Sequence, residues 1–281
     1  MPYSLRLCAV TLGGFLGLAL AMSEGSAASQ APEQVAGRKT ARHDYGRAGQ
    51  STMPQSVDLR PLLDGWRLGP RRQGSRGVCS VFAMTGALEF AVAKKQGKGT
   101  RLSVEFLNWA ANSAGHSNED GGFFSDLWKG FEVYGICSES DLPYRQEFDP
   151  SLQPDATALA EAKKRLSLGL RLNWIKEWDV KTGLTADQLT AIKQTLVCGW
   201  PVCGGFRWPK KAEWRKGVLQ LAQPEDVFDG HSVLLVGYRD EGDQPGGGVF
   251  MVRNSGGDGR DGCIPYKYAC EYMNDSVWID Y

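Results

Sequence analysis

Residues 73–83 read Gln73-Gly74-Ser75-Arg76-Gly77-Val78-Cys79-Ser80-Val81-Phe82-Ala83. The stretch is small and polar as far as Gly77 and changes character at Cys79. From Cys79 to Lys95, Phe82, Leu88 and Val92 fall with Val78 roughly on one helical face. Ala83, Ala87 and Ala91 lie beside them, and Gly97 follows as a stop. Cys79 therefore opens a helix. A helix N-terminus carries partial positive charge and unpaired N–H groups, which favour thiolate over thiol. The same groups can donate to an oxyanion formed when a carbonyl is attacked. Gln73 lies six residues earlier on the incoming loop, where its side-chain amide can supply a second donor.

A catalytic thiol also needs a base, and the base must be held in position. His231 is the only histidine in the second half of the chain, and it follows Asp229-Gly230 where a strand is expected to begin. Asn254 closes the next expected strand, in Val252-Arg253-Asn254-Ser255-Gly256-Gly257. Antiparallel pairing of the two strands brings Asn254 near His231. An asparagine carbonyl that accepts from one ring N–H fixes the tautomer and leaves the other nitrogen for the thiol. Singly, each residue has an ordinary reading as a buried thiol, a surface histidine or a turn asparagine. His43 and His116 sit in polar surroundings and are expected to be solvated.

Further out, Ser103 is the expected N-cap of a helix over Val104–Ala111, and Phe123–Tyr134 reads as a helix closed by Gly135. Thr185 and Gln188 form a capping box for Ala186–Val197, which stops at Gly199-Trp200-Pro201. Short runs rich in Val and aromatics at 202–208, 232–238, 249–253 and 276–281 read as strands separated by Gly and Asp turns. A helical half followed by a strand-rich half is an α+β pattern with two lobes.

The chain of 281 residues, 42% hydrophobic, is long enough for two such lobes. Lys+Arg and Asp+Glu number 32 each, so the chain has no net charge with which to grip a phosphate backbone, and no nucleic-acid partner is expected. Arg6, the apolar run 7–21 and the small residues 25–28 form a secretory signal over 1–28, which implies a secreted or periplasmic protein. Residues 29–54 read as a flexible linker or short pro-segment, with order from about 55. No later run is apolar enough to span a bilayer. Beyond Cys8 in the leader lie Cys79, Cys137, Cys198, Cys203, Cys263 and Cys270. Cys198 with Cys203, and Cys263 with Cys270, are close enough in sequence to pair locally in an oxidising compartment, and the connectivity is open. No CxxC pair with a distal pair of histidines is present, so neither metal nor cofactor is expected.

The 73–83 stretch resembles the nucleophile segment of papain-like cysteine peptidases. Gly230-His231-Ser232-Val233-Leu234-Leu235-Val236-Gly237-Tyr238 is similar to that family's histidine strand, and Arg253-Asn254-Ser255 to its asparagine segment. Ser56-Val57-Asp58-Leu59-Arg60 resembles the start of the mature enzyme. Asp120-Gly121-Gly122 resembles its peptide-binding glycine pair, and Tyr134-Gly135-Ile136 to Leu142-Pro143-Tyr144 the connection into the second lobe. The resemblance covers about 55–281. It implies an α+β papain-like two-lobed fold, with a helical lobe over about 55–145, a β-barrel-like lobe over about 146–281 and a cleft between them. It also implies peptide hydrolysis through an acyl-enzyme thioester, with Cys79, His231 and Asn254 catalytic. Gln73 and the Cys79 N–H then form the oxyanion hole, and Gly121, Gly122 and Gly230 bind an extended peptide or protein substrate.

The sequence departs from that family in four places. A cysteine usual just before the nucleophile is Arg76, and its disulfide partner aligns with Glu119, so an Arg76–Glu119 ion pair is the expectation. Tryptophans usual at two positions are Ser80 and Gly256, so the His–Asn bond needs another of the nine Trp as its shield. The linker is too short for a helical inhibitory prodomain, and residues 146–184 align poorly with the family. The competing functions are a catalytically weakened binding protein and an acyl-transferring peptide ligase on the same fold.

Overall fold

The computed structural model describes residues 53–257 and 259–281, without the Asp229 side chain. The leader and nearly all of the linker expected above lie outside the described residues. In chain order the elements are β1 Ser56–Asp58, α1 Arg60–Gly65, α2 Cys79–Gln96, α3 Val104–Gly115, α4 Phe124–Tyr134, α5 Ala156–Lys164, β2 Arg171–Lys176 and α6 Ala186–Val197. They continue with β3 Val202–Pro209, β4 Trp214–Arg215, β5 Val218–Leu219, β6 Val227–Asp240, β7 Gly248–Arg253, β8 Asp261–Pro265, α7 Tyr266–Tyr272 and β9 Met273–Asp280.

Helix α2 is the hub. It carries only Glu89 as a charge before Lys94, and apart from Gly86 its residues from Cys79 to Ala93 are buried on every face. That is the signature of a helix enclosed by other elements rather than one lying on a surface. Helices α3 and α4 pack on one side of it, and β3, β6 and β9 on the other. Its N-terminus, with Cys79, therefore faces the boundary between helices and sheet. The helix ends at Gly97, whose φ of 70° is the left-handed conformation that glycine adopts without strain.

The expected caps form. The Ser103 hydroxyl accepts from the Phe106 N–H at 2.9 Å and donates to the Leu142 carbonyl at 2.6 Å. The Thr185–Gln188 capping box is closed in both directions. Gly135 ends α4 at φ 75°, and a Cβ there would meet the Ala162 carbonyl at 2.1 Å, so the approach of α5 requires glycine.

The strands form one sheet in the order β2-β9-β3-β6-β7-β8-β5-β4, with β1 added to β6. All pairs are antiparallel except β5 with β8. Strand β6 is longer than expected: it begins at Val227, so His231 lies inside it rather than at its start. Phe206 of β3 is the register partner of His231, and a bulge follows between Phe206 and Arg207. A bulge adds local twist and re-aims the neighbouring side chains.

The α+β class stands, and helices α1–α4 precede almost all the strands. The division along the chain is less clean than expected, because β1 joins the sheet while α5, α6 and α7 follow in the second half. Residues 146–184, which align poorly with the family, supply α5 and the edge strand β2. Ala158 and Ala162 of α5 close a small second core with Phe106, Ala110, Cys137 and Leu142.

One open question is answered and one expectation is overturned. All six described cysteines are free thiols, so neither local pair forms. Cys203 is buried with its thiol donating to the Ala83 carbonyl at 3.4 Å, whereas Cys198 is exposed. Arg76 does not pair with Glu119, whose side chain is exposed. It binds Glu105 at 2.6 Å, Asp120 at 2.7 Å and the Arg145 carbonyl at 2.7 Å. The Arg76 and Glu105 side chains are 4% and 2% exposed. Burial disfavours the Arg76 charge, but hydrogen bonds to Asp120 and Glu105 outweigh it and raise the guanidinium pKa.

Candidate active site

Cys79 is the first residue of α2, and the Val78 that caps the helix offers no side-chain bond to its free N–H groups. The thiol is 8% exposed and donates to the Gly230 carbonyl at 3.6 Å, just before His231. Burial pushes the Cys79 pKa up, while the backbone N–H groups of Ser232, Ser80 and Cys79 pull it back. The sequence led to an expectation of favoured thiolate. Desolvation outweighs the helix terminus, because a thiolate loses more hydration there than the few N–H groups return.

His231 is placed by the β3–β6 register, and Asn254 follows β7 directly. The two meet with His231 Nε2 2.8 Å from Asn254 Oδ1. The asparagine is itself fixed, because its Oδ1 also accepts the Gly256 N–H at 2.9 Å. An amide oxygen only accepts, so Nε2 carries the proton and Nδ1 is left as the basic nitrogen. Burial lowers the His231 pKa, and the bond to Asn254 partly restores it. Cys79 and His231 line one groove of about 420 Å³, together with Gly77, Gly122 and Gly230.

Gln73 is held at every polar atom. Its Nε2 donates to the Arg76 carbonyl at 2.8 Å, and its Oε1 accepts the Ser255 hydroxyl at 2.7 Å. Its backbone N–H reaches the Ser255 carbonyl at 2.9 Å, and its carbonyl accepts the Tyr144 hydroxyl at 2.6 Å. A carbonyl cannot donate, so the bond to Arg76 fixes which end of the amide is nitrogen. One of the two Nε2 protons is used in that bond.

The glycines divide. Gly122 and Gly230 line the groove. Gly121 sits behind that wall: at φ 117° its would-be Cβ lies 2.5 Å from the Gly77 carbonyl, and its N–H donates to Asn108 at 3.0 Å. His116 is exposed, and His43 lies outside the described residues.

Sequence reasoning did not find what covers the histidine. Trp208 of β3 lies with its ring centroid 4.5 Å from that of His231, and it is 9% exposed. On another side is Gly256, where a Cβ would stand 3.0 Å from His231 Cε1. That side opens into a second cavity of about 800 Å³, which also reaches Gln73, Asn254, Trp208 and Trp214. The clue to Trp208 was its place two residues beyond Phe206, but only the cross-strand register reveals it.

A family model described as papain family cysteine protease matches residues 53–269. Pro-cathepsin H of Bos taurus is 30% identical over 217 residues, covering 74% of this chain and 58% of that protein. An aleurain-like thiol protease of Arabidopsis thaliana is 29% identical over 209 residues, covering 74% of this chain and 53% of its own. The chain thus matches little more than half the length of these relatives. Among solved structures, xylellain, a cysteine protease from Xylella fastidiosa, superposes with a TM-score of 0.61 at 25% identity. That match covers 81% of this chain and 86% of xylellain. Digestive procathepsin L 3 of Tenebrio molitor matches with a TM-score of 0.59 at 22% identity, over 83% of this chain and 71% of that one, a likeness of fold.

Proposed function

The chain belongs to the papain family of cysteine proteases, and from that membership we propose that it hydrolyses peptide bonds with Cys79 as nucleophile, His231 as base and Asn254 as the group that orients the base. The observation that carries this reading is the His231–Asn254 bond, which leaves Nδ1 unprotonated on a ring that shares a groove with Cys79.

Burial acts against charge on both groups, raising the Cys79 pKa and lowering that of His231. Binding of a peptide brings a carbonyl to Sγ. The thiol proton passes to Nδ1 as sulfur attacks, and the imidazolium is stabilised through Asn254. The carbonyl oxygen, now an anion, takes hydrogen bonds from the Cys79 N–H and the free Nε2 proton of Gln73. His231 then protonates the departing amine, leaving a thioester. Water then attacks the thioester carbonyl as His231 takes its proton, the C–S bond breaks to release the acid, and the imidazolium returns the proton to sulfur. Gly122 and Gly230 present backbone to an extended substrate. The domain reading is the peptidase domain over about 55–281, which the leader directs to a secreted or periplasmic location.

Turnover of a fluorogenic peptide amide tests the assignment. Cys79→Ala and His231→Ala are expected to lose at least about 10³-fold in kcat/KM. Retention of more than a tenth of the activity in either variant contradicts it. Adding a primary amine separates hydrolysis from acyl transfer, since the cavity beside Gly256 has room for a nucleophile other than water. An amide product in place of the acid assigns a ligase.

A further inference from the structure

Arg76 stands midway between the two groups that the proposed reaction uses as oxyanion donors, three residues after Gln73 and three before Cys79. It is 6% exposed. Its backbone carbonyl accepts the Gln73 Nε2 proton at 2.8 Å. Its guanidinium reaches the same glutamine by a second route. It lies over the Tyr144 ring, 4.8 Å from the ring centre, and the Tyr144 hydroxyl donates to the Gln73 carbonyl at 2.6 Å. Ser255 takes the remaining polar atoms of Gln73. The donor amide is thus held on one side by Ser255 and on the other by groups whose place depends on Arg76.

Regular structure does not fix this stretch. Residues 73–78 carry no helix or strand, and neither do residues 117–123, which pass beside Gly77. The guanidinium joins the two loops. Nε and Nη2 grip the Asp120 carboxylate as a fork, with Nη2 2.7 Å from Oδ1. Nη1 donates to Glu105 of α3 at 2.6 Å and to the Arg145 carbonyl at 2.7 Å. The Asp120 loop is itself tied to α3, since the Gly121 N–H donates to Asn108 at 3.0 Å. Arg76 is therefore anchored on α3 directly through Glu105 and indirectly through Asp120, and Gln73 is anchored on Arg76. The loops are also in backbone contact, because a Cβ on Gly121 would fall 2.5 Å from the Gly77 carbonyl. Packing this close passes a shift of one loop on to the other.

The chemistry calls for a guanidinium. Its planar fork meets two carboxylates and a carbonyl within one plane and leaves a face for the aromatic ring. A lysine offers a single charged point and cannot make that set of contacts at once.

We propose that Arg76 is a positioning residue for the reaction: anchored by Asp120 and Glu105, it holds the Gln73 amide where the oxyanion forms. The proposal rests on the peptidase reading with Gln73 as a donor. A displaced donor is felt by the transition state and not by the bound substrate, so the loss falls on kcat rather than on KM.

The test measures kcat and KM on a peptide amide, with kcat expressed per site titrated by a peptidyl epoxide so that unfolded chain does not count. Gln73→Ala is expected to lower kcat about 10²-fold, the usual cost of one oxyanion donor. Arg76→Lys is expected to lower it about tenfold or more with KM within about threefold. On a Gln73→Ala background the same change should cost less than about twofold more, since its route to the reaction is gone. Asp120→Asn keeps the Arg76–Glu105 pair and should lower kcat several-fold, and it carries the test should Arg76→Lys not fold. An arginine that only stabilises the fold would lower Tm and leave the titrated kcat unchanged. A titrated kcat unchanged in these variants, or a loss that multiplies with that of Gln73→Ala, overturns the proposal and leaves the peptidase reading standing. Failure of the wild-type chain to cleave any peptide sinks the peptidase reading and the proposal with it.

Discussion

His231 is held by one hydrogen bond, to Asn254, and by one aromatic neighbour, Trp208. The indole excludes water from the ring and limits its rotation, so its removal should act on the chemistry more than on substrate binding. Trp208→Ala is expected to lower kcat about tenfold or more. Rehydration should also move the acid limb of the kcat/KM profile up toward 6.5, since burial is what lowers the His231 pKa. Trp208→Phe should retain most of the rate, and an unmoved profile in Trp208→Ala would show that the indole only fills space.

Asp275, which lines the groove with Cys79 and His231, gives a second signature at this scale. Burial raises its pKa from 3.8 to about 6, against the Gly205 N–H and Lys176, with His231 the other titratable group on that groove wall besides Cys79. The folded chain therefore keeps a proton that the unfolded chain releases between those values. The stability this contributes is complete below 3.8 and lost as pH rises through 6. Relative to wild type, Asp275→Asn should gain on the order of 3 kcal/mol between pH 4 and pH 7 in denaturant titrations. A constant difference across that range would contradict the raised pKa. Cys79, His231, Asn254 and Gln73 were legible as candidates because each sits in a local pattern of turn, cap or strand end. Trp208 and Asp275 were not, because their surroundings arise from cross-strand partners remote in sequence, Phe206–His231 and Gly205–Asp275.

Among the elements, the loop that leads into α2 is fixed by charge where a disulfide was the family's expected device. Arg76 ties that loop to α3 through Glu105 and to the Gly121 turn through Asp120. Both Arg76 and Glu105 are almost fully buried, so removal of one partner leaves an uncompensated charge. Arg76→Ala is expected to cost about 3–5 kcal/mol in denaturant unfolding, and a Glu105→Ala double-mutant cycle should show strong coupling. Additive losses would mean that the pair is incidental, and the same cycle with Glu119 should show no coupling. The sequence pointed to an acidic partner near Gly121 but chose the wrong one. Three acids, Glu105, Glu119 and Asp120, compete for Arg76, and only the turn decides which side chains face inward. The helices with caps or glycine stops were legible for local reasons. Helix α5 and strand β2 were not, since they are set by packing against α4 and β9 rather than by their own periodicity.

Across the whole molecule, α2 joins helices to sheet in one continuous core, with residues of both in a single cluster. No disulfide contributes among the described residues. Addition of dithiothreitol should therefore leave Tm within about 1 °C while keeping the Cys79 thiol reduced, and a fall of more than about 5 °C would reveal a bond. The α+β class and the two-lobed outline were legible from the order of helical and strand patterns. The entry of β1 into the sheet was not, because three residues carry no period. The central claim is that Cys79 alone among six free thiols faces a base across a groove. A peptidyl epoxide directed at thiols, applied at stoichiometric concentration and mapped by peptide mass spectrometry, tests it most directly. The account predicts one adduct, on Cys79, absent from Cys79→Ala and strongly slowed in His231→Ala. Labelling spread over exposed Cys198 and the others, with Cys79 unmodified, would contradict it.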